Sequence, residues 1–209
     1  MLSGTGLVAG YRKGVAVLDG IDVEVPAGRV TGLAGPSGCG KSTVARVLGL
    51  LQRPWEGRVS VDGDVVDGFR HSAPRAQRTA IGMVFQQPRP AVDPRFTLHE
   101  VVAEPLRATG RSEPIEALTE QVGLTAELLR RRPHEVSDGQ LQRACLGRAL
   151  ALRPRYLICD EMTAMLDAST TAALVRVVDR QVEEHGTGVL AISHDEALLE
   201  RWAGRVLRI

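Results

Sequence analysis

The chain has 209 residues, 44% hydrophobic and 24% charged, with a formal net charge of +1. That length is enough for one α/β domain with a full core and room for a subdomain. The near-neutral charge excludes a general polyanion-binding surface, and the lack of any apolar run of about 18 residues excludes a transmembrane helix.

Residues 2–11 and 16–25 alternate apolar and polar side chains around Lys13-Gly14, the pattern of an antiparallel hairpin. Residues 29–34 read as a short buried strand, and residues 43–51 carry the apolar spacing of a helix. A second hairpin is expected from residues 58–62 and 64–66 across Gly63, followed by a buried strand at 81–85. From Gln87 to about Arg153 strand runs vanish. Short helices are expected at 98–108, 114–122 and 126–131, the second with Ser112 as N-cap, and a longer one at 140–152. Apolar strands return at 156–159 and 188–192, as in a parallel sheet, with an amphipathic helix at 170–184 between them. An α/β core interrupted by a helical insert is the organisation these runs predict.

Gly35-Pro36-Ser37-Gly38-Cys39-Gly40-Lys41-Ser42-Thr43 fits G-x-x-x-x-G-K-[ST] between a strand and a helix. Such a P-loop wraps nucleotide phosphates at a helix N-terminus, where free N–H groups and the positive dipole end attract anions. Its glycines allow close approach and φ > 0. Lys41 is placed to reach the β- and γ-phosphates, and Ser42 to ligate Mg²⁺. Only Lys13 and Lys41 of the 26 basic residues are lysine, so this Arg-rich chain keeps a compact ammonium where one is wanted. The run Tyr156-Leu157-Ile158-Cys159 ends in Asp160 and Glu161. The strand tip brings Asp160 beside the P-loop to hold Mg²⁺, and Glu161 toward the γ-phosphate to orient a water. The three cysteines, Cys39, Cys145 and Cys159, lack C-x-x-C spacing, which argues against zinc and disulfides and suits a reducing cytosol. Arg130-Arg131-Arg132 reads as cations closing a helix. No signal peptide is expected at Met1-Leu2-Ser3.

Val136-Ser137-Asp138-Gly139-Gln140 opens the helix at 140–152 and resembles the signature, usually L-S-G-G-Q, of ABC-type ATPases. Other landmarks resemble that family in the same order. Tyr11 is similar to the aromatic that stacks on adenine, and Gln86 to the Q-loop glutamine between core and insert. Ala164-Met165-Leu166-Asp167 resembles the D-loop, and His194 the switch histidine that contacts the γ-phosphate. The resemblance covers essentially the whole chain. Two stretches, residues 86–97 and Arg132-Pro133-His134-Glu135, resemble the peptide and nickel importer branch.

The resemblance implies an α/β fold, a P-loop NTPase cassette of ABC type. A mainly parallel core sheet is expected, with an N-terminal antiparallel β subdomain and an inserted helical subdomain. Residues 1–209 would form one ATPase domain, with 1–86 and 154–209 as the RecA-like core and 87–153 as the helical signature subdomain. ATP and Mg²⁺ are the implied cofactors. Glu161, His194, Gln86 and Lys41 are the implied catalytic residues, and Ser42, Gln86 and Asp160 the metal ligands. Tyr11, the P-loop from Gly35 to Thr43, and Ser137, Gly139 and Gln140 would bind nucleotide. Such ATPases work as head-to-tail dimers, each ATP lying between one P-loop and the other subunit's signature. The second subunit is either a second copy or a homologous chain. Permease subunits would hold the cassette on the inner face of the cell membrane, with a solute-binding protein as an indirect partner and no nucleic acid. The leading expectation is an ATPase subunit energising an importer of di- or oligopeptides, nickel or a similar small solute. The alternatives are a DNA- or ribosome-associated ABC ATPase and a weakly hydrolysing nucleotide-binding partner.

Departures from the family pattern are also legible. Asp138 replaces the first signature glycine; at ~8 Å and an effective dielectric of ~20 its repulsion of one phosphate charge is ~2 kcal/mol before screening. Met162 stands where proline is common after the acidic pair, and Ala164-Met165 replaces Ser-Ala in the D-loop. The C-terminal extension of many peptide-branch members is not expected after Ile209.

Overall fold

The computed structural model describes residues 1–12, 14–164 and 166–209. From the N-terminus, β1 (Leu2–Ala9), β2 (Leu18–Val25), β3 (Val30–Ala34) and α1 (Lys41–Leu48) precede the hairpin β4 (Glu56–Val61) and β5 (Asp64–Val65), then α2 (Arg75–Thr79) and β6 (Ile81–Val84). Four helices follow: α3 (Leu98–Thr109), α4 (Glu116–Gln121), α5 (Ala126–Leu129) and α6 (Asp138–Leu150). The chain closes with β7 (Tyr156–Asp160), α7 (Ala168–His185), β8 (Gly188–Ile192), α8 (Glu196–Trp202) and β9 (Arg205–Arg208).

The alternating runs pair as expected. β1 lies antiparallel to β2, with Leu2 opposite Val25 and Ala9 opposite Leu18, in a four-stranded sheet of order β2-β1-β4-β5. Lys13 of the expected turn lies outside the described residues; beside it, the Val15 amide donates to the Arg12 carbonyl at 3.0 Å. The apolar runs form the other sheet, all parallel, of order β6-β7-β8-β3-β9. β3, β7 and β8 are buried at every residue, because a parallel sheet is covered on both faces and needs apolar side chains on each.

Residues of β7 alternate between two cores. Tyr156 and Ile158 join the antiparallel sheet and α1 through Leu2, Leu7, Val44 and Leu48. Leu157 and Cys159 join the helical side through Leu141, Leu146, Leu174 and Val178. Within the insert α3 lies against α6. A Cβ built on Gly147 would stand 3.3 Å from Val102 Cγ2, so the glycine permits the close approach of these helices. Burial raises the thiol of Cys145 to about 11 and that of Cys159 further, as expected for cysteines used as small apolar residues.

Several local expectations need correction, and α5 and α6 differ from theirs by two residues at an end, with no arginine in the last turn of α5. Ser112 caps no helix: α4 starts after Ile115, which makes no side-chain capping bond. Glu116 supplies an acidic first-turn residue instead, so the dipole has a partner without an N-cap hydroxyl. The P-loop helix begins two residues earlier than expected, at Lys41, and ends at Leu48, because Leu50 is left-handed (φ 60°). Two closing elements were not expected at all, α8 and the edge strand β9.

Candidate active site

The P-loop links the buried strand β3 to α1, and Gly40 is a tight point in it. It has φ 110°, and a Cβ there would meet Leu18 Cδ2 at 2.6 Å. Glycine alone takes that backbone without strain. Helix α1 has no acidic residue in its first turn, so its N-terminus keeps its full attraction for an anion. Lys41 is 6% exposed, and its Nζ donates to the carbonyls of Gly35 (2.7 Å) and Pro36 (3.0 Å). Cys39 sits in the same loop, its amide donating to the Pro36 carbonyl at 3.4 Å. Ser37, Gly38, Gly40, Lys41, Ser42 and Thr43 line a cleft of about 300 Å³ with Tyr11, Gln86 and Glu161.

The tip of β7 meets this cleft. Ser42 Oγ donates to Asp160 Oδ1 at 3.2 Å. Burial raises Asp160 above the ordinary carboxylate value of 3.8, partly offset by the Ser42 hydrogen bond. Glu161 follows with a left-handed backbone, φ 49°, a conformation uncommon outside glycine and a form of strain found at functional sites. Its amide donates to the Ile192 carbonyl at 3.0 Å, fixing it against the neighbouring strand. Three elements then converge on its carboxylate. Gln86 Nε2 donates to Oε2 at 2.7 Å, His194 Nδ1 stands 3.7 Å from the same oxygen, and Lys41 Nζ lies 4.0 Å from Oε1. His194 and Gln86 are exposed, whereas Lys41 and Glu161 face inward.

Tyr11 is 63% exposed at the cleft rim. Its hydroxyl lies 3.0 Å from Thr43 Oγ1 and accepts a hydrogen bond from Arg46 at 2.6 Å. The Arg46 guanidinium also sits 5.8 Å from the ring centroid. Arg46 went unnoticed in the sequence, although its place in the helix after the P-loop could have suggested it.

The signature lies elsewhere. Ser137 caps α6 by accepting the Gln140 amide at 3.2 Å, while Gln140 Oε1 accepts the Ser137 amide at 3.0 Å. Ser137, Asp138, Gly139 and Gln140 line a second cleft, of about 470 Å³, with Leu166 and Asp167. It shares no lining residue with the P-loop cleft. Thus Tyr11, the P-loop, Gln86, Asp160, Glu161 and His194 come together, and Ser137, Gly139 and Gln140 do not join them. Of the D-loop tetrad, Met165 lies outside the described residues. Asp167 caps α7 by accepting the Thr170 amide at 2.9 Å.

Residues 18–164 match the family model described as ABC transporter. The chain belongs to the ABC transporter family. The nickel import ATP-binding protein NikE of Escherichia coli (strain K12) is 38% identical over 204 residues, covering 95% of this chain and 76% of that protein. NikE of Shigella boydii serotype 4 (strain Sb227) is likewise 38% identical, over 205 residues, covering 95% of this chain and 76% of that protein. Among solved structures, the dimeric bacterial ABC transporter cassette MJ0796 superposes with a TM-score of 0.89 at 26% identity, covering 100% of this chain and 94% of that one. The fold of this ABC chain is the cassette fold its motifs imply: antiparallel sheet, parallel sheet and helices.

Proposed function

We propose that this chain is the ATP-hydrolysing subunit of a membrane importer, and that its cargo is nickel or a similar small solute. The observation that carries the ATPase reading is the convergence of Gln86, His194 and Lys41 on Glu161 beside the P-loop. The importer and nickel readings draw on the likeness to NikE.

In this reading the triphosphate lies along the P-loop amides with Lys41 on its β- and γ-phosphates and Tyr11 beneath the adenine. Glu161 is the general base: it takes a proton from the attacking water while the β–γ bridging oxygen leaves with ADP. Gln86 and His194 hold the carboxylate and the γ-phosphate in register. Ser42 and Asp160 would hold a Mg²⁺ ion, because their paired oxygens are the hard donors that ion prefers. Bound there, Mg²⁺ would neutralise charge on the phosphates.

The separate signature cleft supports a composite site. An ATP on this P-loop has no signature from its own chain, so a head-to-tail partner, identical or homologous, would supply it; the similar cassette MJ0796 has been solved as a dimer. Residues 87–153 would act as the signature subdomain against a core of 1–86 and 154–209. Among the described residues no helix is long and apolar enough to cross a membrane. In this reading permease subunits, fed by a solute-binding protein, hold the chain on the inner face of the membrane. A groove of about 310 Å³ between β6, α3 and α6 is a suitable dock for a permease helix.

The test is reconstitution of the chain with its permease and partner ATPase in vesicles. Nickel uptake should require Mg²⁺-ATP. No nucleotide binding in calorimetry, or hydrolysis stimulated by nucleic acid and not by the permease, would overturn the proposal.

A further inference from the structure

Asp138 occupies the first turn of α6, where the helix N-terminus would otherwise attract a phosphate. In the structure it does not stand alone. Arg89, three residues after Gln86, places its guanidinium NH2 2.7 Å from Asp138 Oδ1. The same guanidinium donates to the carbonyls of Pro133 (2.8 Å) and Val136 (3.1 Å), the segment that leads into Ser137. Two carbonyls therefore fix the fork before the carboxylate is counted, so the cation is held ready at one position. A second tie lies on the other side of Gln86: Gln142 of α6, 2% exposed, donates to the Phe85 carbonyl at 3.0 Å.

We propose that Arg89 is a positioning residue that cancels the charge of Asp138 and fastens the signature to the Gln86 segment. This rests on the composite-site reading above. With Arg89 in place, the α6 N-terminus presents a nearly neutral pair and free amides to the partner's ATP, instead of a carboxylate. The two ties flanking Gln86 also carry any displacement of that glutamine to α6. The nucleotide on this chain's P-loop is thereby linked to the signature that serves the other nucleotide.

The test compares wild type, Arg89→Ala, Asp138→Gly and the double variant as full chains, by Mg²⁺-ATP hydrolysis against ATP concentration. Arg89→Ala should raise the half-saturating ATP about tenfold with a much smaller change in kcat, the order expected from uncovering one partly screened charge. The double variant, with neither charge, should return half-saturation to within about twofold of wild type. Raising salt from roughly 50 mM to 500 mM should shrink the Arg89→Ala defect, which a purely structural loss would not do. Arg89→Lys, which keeps the charge without the fork, should recover part of the loss. A double variant that keeps the full Arg89→Ala defect, or no effect of Arg89→Ala, would overturn the inference. If Arg89→Ala fails to fold, Asp138→Asn decides: it leaves the Arg89 cation uncancelled, so half-saturating ATP should fall at low salt and rise more steeply with salt, and an unchanged dependence refutes the proposal. A wild type that hydrolyses ATP while the double variant fails to recover removes this inference alone; a wild type that binds no ATP removes the composite-site reading with it.

Discussion

Replacing Glu161 by Gln separates nucleotide binding from hydrolysis. The carboxylate lies 4.0 Å from Lys41 Nζ, and both side chains are largely buried. At an effective dielectric of about 20 their attraction is about 4 kcal/mol before desolvation is counted. An incoming phosphate competes with that attraction for Lys41 and is also repelled by the carboxylate. The amide removes both effects while keeping nearly the same volume and the ability to hydrogen-bond Gln86. Lys41 stays held by the Gly35 and Pro36 carbonyls, so ATP affinity should be unchanged or raised, by up to about tenfold. Loss of the base should lower the hydrolytic rate about 10²- to 10⁴-fold, or about 3 to 5 kcal/mol on the barrier. Phosphate release and a sizing column run with millimolar Mg²⁺-ATP read the two effects together. A slow, ATP-retaining dimer is the expected result. Hydrolysis within about threefold of wild type would refute the assignment of Glu161 as base, and weakened ATP binding would refute the electrostatic argument.

Three further outcomes are expected. Asp160 has a raised folded value, so acidification should protonate it, and weaken Mg²⁺-ATP binding, at a higher pH than for an ordinary carboxylate. In that window the folded chain holds the extra proton more tightly than the unfolded one, so this group's contribution to stability rises as pH falls; parallel calorimetry and thermal melts would show binding and stability moving in opposite directions. Gly40→Ala should cost about 2 kcal/mol, because φ 110° disfavours any side chain there; an unchanged denaturant midpoint would contradict it. Leu146→Ala, at a fully buried position of α6, should cost about 3 kcal/mol in chemical denaturation.

The parts of the site that one chemistry restricts to one residue type were readable in the chain. Lys41 stands out in an Arg-rich sequence, and Asp160-Glu161 ends an apolar run whose burial on both faces the structure confirms. What stayed hidden depends on contacts between distant segments. Nothing near Arg89 in sequence says that it reaches Pro133, Val136 and Asp138. The edge strand β9 has only four residues, too few for alternation to register, and its place beside β3 is set by the sheet. Helix α8 did leave a trace: Asp195 accepts the Leu198 amide at 2.9 Å, the N-cap arrangement that an acidic residue before an apolar run encodes. Ser112 shows the opposite case, a good capping residue with no helix placed to use it.

In the composite-site reading two helix ends meet phosphate, and they are not equivalent. Helix α1 opens at Gly40 with no acidic residue in its first turn and Lys41 beside it, so it attracts a triphosphate unaided. Helix α6 opens with Asp138 in its first turn and becomes compatible with an anion only through Arg89. In the composite-site reading this asymmetry sets an order. The P-loop captures Mg²⁺-ATP first, and the weaker, compensated end closes on a nucleotide that is already held. Stopped-flow mixing should then show ATP binding at a rate independent of chain concentration, followed by a slower association that scales with it. A single phase that depends on chain concentration from the outset would mean that both ends engage the nucleotide together, and would remove the order.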